Sequence, residues 1–347
     1  MAFVNHICTA LPEHLLDQER VRSMGRRILK GKVPFLEQAL GLFANAGVET
    51  RYLVRDVDEI LDKDDLGWRN AVYREASIKL GKTLVEDLLA QTGIGPGEID
   101  LIITTSCTGF MIPSVDAYLI NHFRMRPDTK RLPITELGCA AGAMALARAN
   151  EYLRAFPDHK VLVVAIELPS LTYQTRDFRV ANLVSAALFG DGGAAVLLSN
   201  QPASCEILAN RTHFFHDTPD LMGFDLTERG FKILLDKKIT ELVGTSFLEP
   251  LTQFLKTQQL RLEDIRNFVF HPGGRRILDT LKEVLGIGET AIRASRKVLR
   301  EAGNLSSASV IWVLAETLTQ DPRGLGIMAA FGPGFNAELL TLNFCAG

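Results

Sequence analysis

The same order of elements occurs twice in this 347-residue chain, and that constrains the fold more than any other feature. In the first series "EIDLIITTS" reads as a buried strand, "LGCAAGAMALARANEYLRAF" as a helix and "HKVLVVAIE" as a second buried strand. In the second series "DIRNFVFHPGG" is a strand, "AGNLSSASVIWVLAETL" a helix and "GLGIMAAFG" a strand. Gly138-Cys139-Ala140-Ala141 holds the place in the first that Gly303-Asn304-Leu305-Ser306 holds in the second. Two occurrences are too few for a solenoid. They predict two similar α/β halves packed on each other, with sheets covered on both faces. We place the halves at residues 1–200 and 201–347. The helix opening "CAAGAMALA" has almost no bulky residue in its first turns, which predicts burial between the sheets with close neighbours. The first hundred residues read mostly as helices and connections. Within them "SIKLGKTLVEDLLAQTG" has helical periodicity and a stop at Gly93. "GIGPGEI" has spaced glycines, but it follows a helix and contains Pro96, so it does not read as a phosphate loop.

Hydrophobic residues make up 47% of the chain, enough for a core spanning both halves. A net charge of -3 gives no polybasic surface for nucleic acid. The local run "RSMGRRILKGK" (Arg22 to Lys32) reads first as a solvated helix face. The five cysteines, Cys8, Cys107, Cys139, Cys205 and Cys345, are odd in number and never form a CxxC pair. This argues against a disulfide framework and a zinc site, and a reducing cytoplasm is the simplest setting. The start "MAFVNHICTALPEHLL" lacks the basic-then-apolar order of a signal peptide. The longest strongly apolar stretch, "VLVVAI", is too short to span a bilayer.

Three polar residues sit at matching kinds of place. Cys139 and Asn304 open the equivalent helices, and His271 ends a strand just before "PGG". Pseudo-symmetric halves can bring them together although they are far apart in the chain. A helix N-terminus and a neighbouring imidazolium both favour a thiolate. Cys139 would then attack a thioester, while His271 and the amide of Asn304 stabilise the developing oxyanion. Taken singly, each residue has a plainer reading: a packed inert thiol, a hydrogen-bonded histidine at a turn, and a helix N-cap.

The flanking motifs change those odds. "LGCAAG" surrounds the cysteine, "FHPGGRRILD" the histidine and "GNLSSAS" the asparagine, with "LFGDGGAA" at Leu188 to Ala195 and "FGPGFNAE" at Phe331 to Glu338. In order and spacing the set resembles the type III polyketide synthases, the chalcone synthase-like family. The resemblance covers roughly Asp100 to the C-terminus, with "ETRYLV" extending it weakly upstream. It implies a thiolase-like layered αβαβα fold, a homodimer, and decarboxylative condensation of malonyl-CoA onto an acyl starter. No cofactor is implied; CoA thioesters are substrates. By resemblance Cys139 matches the acyl-carrying nucleophile, and His271 and Asn304 match the pair promoting malonyl decarboxylation. Phe189 matches a gatekeeper between CoA tunnel and cavity. Thr105, Ser106, Thr172 and Ser306 match cavity-lining positions, and Gly332, Pro333 and Gly334 a loop shaping one wall.

Departures from the plant pattern carry information. Ile233 stands at the second gatekeeper, where an aliphatic residue suits an alkyl chain. Phe224 replaces a cavity glycine, and Ala330 replaces the usual first glycine of the "GPG" loop. Of the basic residues that bind CoA phosphate in plant members only Arg51 lines up, so the starter can come from CoA or from an acyl-carrier protein. "TTSCTGFMIPS" is longer than the plant version and resembles bacterial members; by resemblance it reaches across the dimer, with Met111 and Ile112 towards the partner's cavity. Cys107 is then near the site, as a packed small residue or a redox-sensitive neighbour of Cys139. The sequence places a fatty acyl starter giving alkylpyrones or alkylresorcinols first. A synthase making a small phenol from malonyl-CoA alone, of phloroglucinol or tetrahydroxynaphthalene type, comes second. A ketoacyl synthase III is disfavoured by "HPGG" and "GPG". A catalytically silent scaffold subunit or a cysteine hydrolase is disfavoured by the intact trio and its motifs.

Overall fold

A computed structural model describes residues 2–345 of the chain. The first half contributes β1 (Ala2–Ala10), β2 (His14–Asp17), β3 (Thr50–Leu53), β4 (Leu101–Thr105), β5 (Lys130–Ile134), β6 (Val161–Glu167) and β7 (Gly192–Ser199). The second contributes β8 (Cys205–Phe214), β9 (Met222–Thr227), β10 (Gly230–Leu235), β11 (Asn267–Phe270), β12 (Gly324–Gly332) and β13 (Asn336–Phe344). Nine of these form one mixed sheet in the order β11-β12-β13-β8-β1-β7-β6-β4-β5. From its centre outward the sheet repeats one pattern. β1 is antiparallel to β7, β7 to β6, and β6 is parallel to β4. β8 is antiparallel to β13, β13 to β12, and β12 is parallel to β11. The two patterns meet where Ala2, Phe3 and Val4 of β1 pair with Ile207, Glu206 and Cys205 of β8.

The first hundred residues are mostly helices and connections, as read, with β1 as a strand that the reading did not single out. A register shift between Val4 and His6 breaks its period-two pattern, which hides the strand in the sequence.

Alternation along the other strands sorts their side chains into layers. Leu101, Ile103, Val163 and Val196 share one core with Met328, Ala330 and Leu340 of the other half. The helices Ala141–Ala155 and Ser309–Leu318 contribute Leu146, Ala149, Val310 and Leu314 to that same core. The intervening Ile102, Leu162, Val164 and Leu197 face Leu80, Leu84 and Leu88 of the helix Leu66–Thr92. Ile327, Ala329 and Leu339 face Leu251, Leu278 and Leu281 on the opposite outer side. The order is helix, strand, helix, strand, helix, as the thiolase-like reading expects.

The small-residue helix is the buried middle layer. A Cβ on Gly142 would stand 2.0 Å from the carbonyl oxygen of Ser307, so backbone meets backbone where the two central helices begin. The run of small residues is what lets the two halves approach there. Among the described residues no helix is long and apolar enough to cross a membrane.

Candidate active site

Cys139 lies in a 3₁₀ turn, Gly138–Ala140, that leads into the helix Ala141–Ala155. Gly138 has φ 48°, and a Cβ on it would come 2.6 Å from Cδ of Pro333. Only glycine fits this left-handed position with the Gly332-Pro333-Gly334 loop pressed against it. His271 directly follows β11, and its backbone N–H donates to the carbonyl of Ala329 at 2.9 Å. Asn304 is held by its own peptide: its N–H donates to Leu188 O at 2.8 Å, and its carbonyl accepts from Gly190 N at 3.1 Å. The "LFGDGG" segment is thereby stitched to the "GNLSS" turn. Asn304 is five positions ahead of the helix Ser309–Leu318, so it is not that helix's N-cap. Its Oδ1 accepts from Ser306 N at 2.8 Å and Ser309 Oγ at 3.2 Å, which leaves the NH2 as the end free to donate. Cys139, His271 and Asn304 all line one cavity of about 970 Å³. Cys139 Sγ is 3.6 Å from Ser306 Oγ.

Burial pushes the Cys139 thiol up to about 12, against downward pulls from Ser306 and Asn304. Burial pulls His271 down to about 3, and both its ring nitrogens are buried without a hydrogen-bond partner. Burial thus opposes charge on both groups. In this largely apolar cavity desolvation works against the thiolate and the imidazolium that a helix terminus would favour. Alkylation by iodoacetamide should accordingly be slow at neutral pH, with its rate rising close to ten-fold per pH unit from about pH 6 to about pH 9. A plateau reached below pH 7 would mean that a thiolate–imidazolium pair already exists.

A carboxylate missed in the sequence ties the site together. Glu167, fully buried at the end of β6, accepts from Cys107 N at 3.1 Å, Thr108 Oγ1 at 2.9 Å and Ser307 Oγ at 2.6 Å. Burial raises its pKa. Its partners come from both halves, so it braces the turn carrying Asn304 against the strand side of the cavity. The signal in the sequence was an acid closing a wholly apolar strand, a position that demands partners.

Thr172, Phe189, Phe224, Ile233, Ser306 and Pro333 line the cavity with the central trio. Phe224 and Ile233 are directly opposed in the β9–β10 ribbon, so the two departures from the plant pattern form one patch of wall. Thr105, Ser106 and Gly332, expected at the wall, do not line it. Thr105 Oγ1 is instead engaged with Ser307 Oγ at 2.9 Å, and Gly332 packs behind Leu137 and Ala140. The cavity is reached two positions further along, at Cys107 and Thr108. Cys107 Sγ lies 3.5 Å from Ser306 Oγ, and burial together with Glu167 pushes its thiol well up.

Arg51 is a correction. It is only 2% exposed, and its guanidinium donates to the carbonyls of Ala186, Ala187 and Phe189 and to the Gln18 side chain. Both terminal nitrogens are engaged at the end of the helix Val180–Leu188 and on Gln18, and Nε is buried, so the fork is not presented to a phosphate. In the loop after β4, Phe110 and Ile112 project outward, Ile112 with 84% exposure, while Met111 packs partly against the outer core. "RSMGRRILKGK" lies mostly on the helix Gln18–Leu29, where Arg26 pairs with Glu37 and Arg27 with Asp58.

Residues 49–210 match the family described as FAE1/Type III polyketide synthase-like protein, and residues 206–345 match the chalcone and stilbene synthases, C-terminal domain. The chain is 36% identical to a 1,3,6,8-tetrahydroxynaphthalene synthase of Streptomyces peucetius subsp. caesius, over 97% of this chain and 91% of that one. It is 34% identical to a phloroglucinol synthase of Pseudomonas fluorescens, over 94% and 95% of the two chains. The crystal structure of 1,3,6,8-tetrahydroxynaphthalene synthase from Streptomyces coelicolor superposes with a TM-score of 0.95 at 32% identity, covering 99% of this chain and 100% of that one.

Proposed function

Since the chain belongs to the type III polyketide synthases, we propose that Cys139, His271 and Asn304 are its condensing machinery and that malonyl units are built into a polyhydroxylated aromatic in the cavity they share. The observation that carries the residue roles is the convergence of these three side chains on one mostly apolar cavity of about 970 Å³.

Loading is a thioester exchange. Cys139 sulfur bonds to the acyl carbon, the CoA sulfur departs, and the thiol proton travels through His271 to the leaving thiolate. Extension begins when malonyl-CoA loses CO₂. The electron pair of the broken C–C bond becomes an enolate whose oxygen is met by an N–H of neutral His271 and the free NH2 of Asn304. The low-dielectric wall makes those two donors worth more than they would be in water. The enolate carbon then bonds to the acyl carbon on Cys139, releasing its sulfur to accept the lengthened chain. A neutral His271 suits this cycle, because it can donate to the enolate and accept from the thiol in turn.

The small-phenol reading takes its support from relatives named as tetrahydroxynaphthalene and phloroglucinol synthases. One observation favours the other product class: Val184, Ile233, Leu235 and Ile239 give the cavity an aliphatic wall fit for an alkyl starter. Purified protein given malonyl-CoA alone, and then acyl-CoAs of increasing length, separates the two by mass spectrometry of the products. An aromatic product from malonyl-CoA alone is expected. Product that forms only when a long acyl-CoA is added would transfer the reading to an alkylpyrone or alkylresorcinol synthase.

The functional unit in this reading is a homodimer in the cytoplasm. Supporting the dimer, Phe110 and Ile112 in the loop after β4 and Leu132 on β5 are exposed apolar side chains, and residues 130–133 of edge strand β5 are all exposed. An edge of this kind invites cover by another copy. Five free cysteines fit a reducing compartment.

A further inference from the structure

A CoA thioester brings phosphates that cannot follow its acyl end into an apolar cavity, and Arg51, the cation the sequence offered for them, is locked in the fold. The cavity lining that begins at Cys139 also includes three exposed cations, Lys237, Arg275 and Arg276. Lys237 leads into the helix Lys238–Ser246, and Arg275 and Arg276 open the helix Arg275–Leu285. They come from two separate segments, yet they border the same opening.

These cations are largely free of competing carboxylates. Arg276 and Lys237 have no ion-pair partner among the described residues, and Arg275 has only Asp279 at 3.8 Å, which is closer to Arg296. The one acid on this rim, Asp236, accepts from the backbone N–H of Lys238. Gln38, Asn45 and Thr240 add uncharged hydrogen-bonding groups to the same border. Arg275 is also placed firmly: a Cβ on Gly47 would be 3.3 Å from its Cβ, so the turn before β3 packs against it.

Resting on the reading of this chain as a CoA-thioester condensing enzyme, we propose that Arg275, Arg276 and Lys237 form the phosphate anchor for the 3′-phospho-ADP portion of CoA. The anchor is at the cavity mouth, on the side that also carries His271 five residues before Arg276. Two guanidinium forks and an ammonium suit a diphosphate and a separate phosphomonoester, because each fork can grip two oxygens. Position at an exposed rim makes the grip sensitive to salt.

The test compares malonyl-CoA with malonyl-pantetheine, which carries no phosphate. R275A/R276A should raise KM for malonyl-CoA roughly ten-fold, as expected for two partly solvated phosphate contacts, with kcat little changed. Its loss on malonyl-pantetheine should be two-fold at most. Lysine at both positions should restore most of the malonyl-CoA affinity, and added salt should raise KM for malonyl-CoA in the wild type more than in R275A/R276A. Equal losses on both substrates, or an unchanged KM for malonyl-CoA, would overturn the anchor. If wild-type protein makes no polyketide from either substrate, it is the condensing function that fails and not the anchor.

Discussion

Cys139→Ala should abolish polyketide formation, by at least about four orders of magnitude, and the protein should no longer take an acyl group from a CoA thioester. The sulfur has no substitute in the cavity. Cys107 borders it too, but Glu167 accepts from its backbone and burial pushes its thiol well up, away from the reactive thiolate. The same variant should still convert malonyl-CoA slowly to acetyl-CoA, because enolate stabilisation depends on His271 and Asn304. Asn304→Ala should show the converse. Decarboxylation should fall about 10²- to 10³-fold, the usual cost of one oxyanion donor, while Cys139 still acquires a starter acyl group. Intact-protein mass and release of acetyl-CoA read the two halves separately. Equal loss of both functions in Cys139→Ala, with the fold intact, would contradict the division of labour.

Gly142→Val should destabilise the protein by about 3 kcal/mol or more, although it introduces only a modest apolar side chain into an apolar layer. The cause is the Ser307 carbonyl 2.0 Å from where a Cβ would be. This is backbone facing backbone, so no rotamer change relieves the clash. Relief would require the two central helices to part, and their contact is also what brings Ser306 to Cys139. The urea midpoint reports it, with Gly41→Ala as the control, since a Cβ at Gly41 meets nothing within 4 Å. A Gly142→Val midpoint equal to the wild type would show that the halves are not packed as described.

The repeat and the helix between the layers were legible because each is written in local pattern, and the central trio was legible through the motifs that flank it. Buried strands are short apolar runs, and a helix that must touch another backbone shows its small residues. What the sequence concealed depends on non-local pairing. β1 is hidden by its own bulge, and its place at the centre of the sheet is set by partners about two hundred residues away. Arg51 looked like a ligand for phosphate because it lines up with a basic CoA-binding residue of the plant members; only the carbonyls at the end of the helix Val180–Leu188 reveal it as a brace. The direction in which burial shifts Cys139 and His271 was likewise out of reach, since desolvation is a property of the assembled cavity. Arg275 and Arg276 were visible inside "FHPGGRRILD", but their common border with Lys237 exists only after folding.

The most direct measurement is to quench the wild-type protein during turnover with malonyl-CoA and locate the acyl group by peptide-level mass spectrometry. The account predicts a thioester on the peptide containing Cys139, present in a series of masses that records successive extensions, and absent in Cys139→Ala. Product accumulating while the acyl group sits on Cys107, or on no cysteine at all, would contradict it.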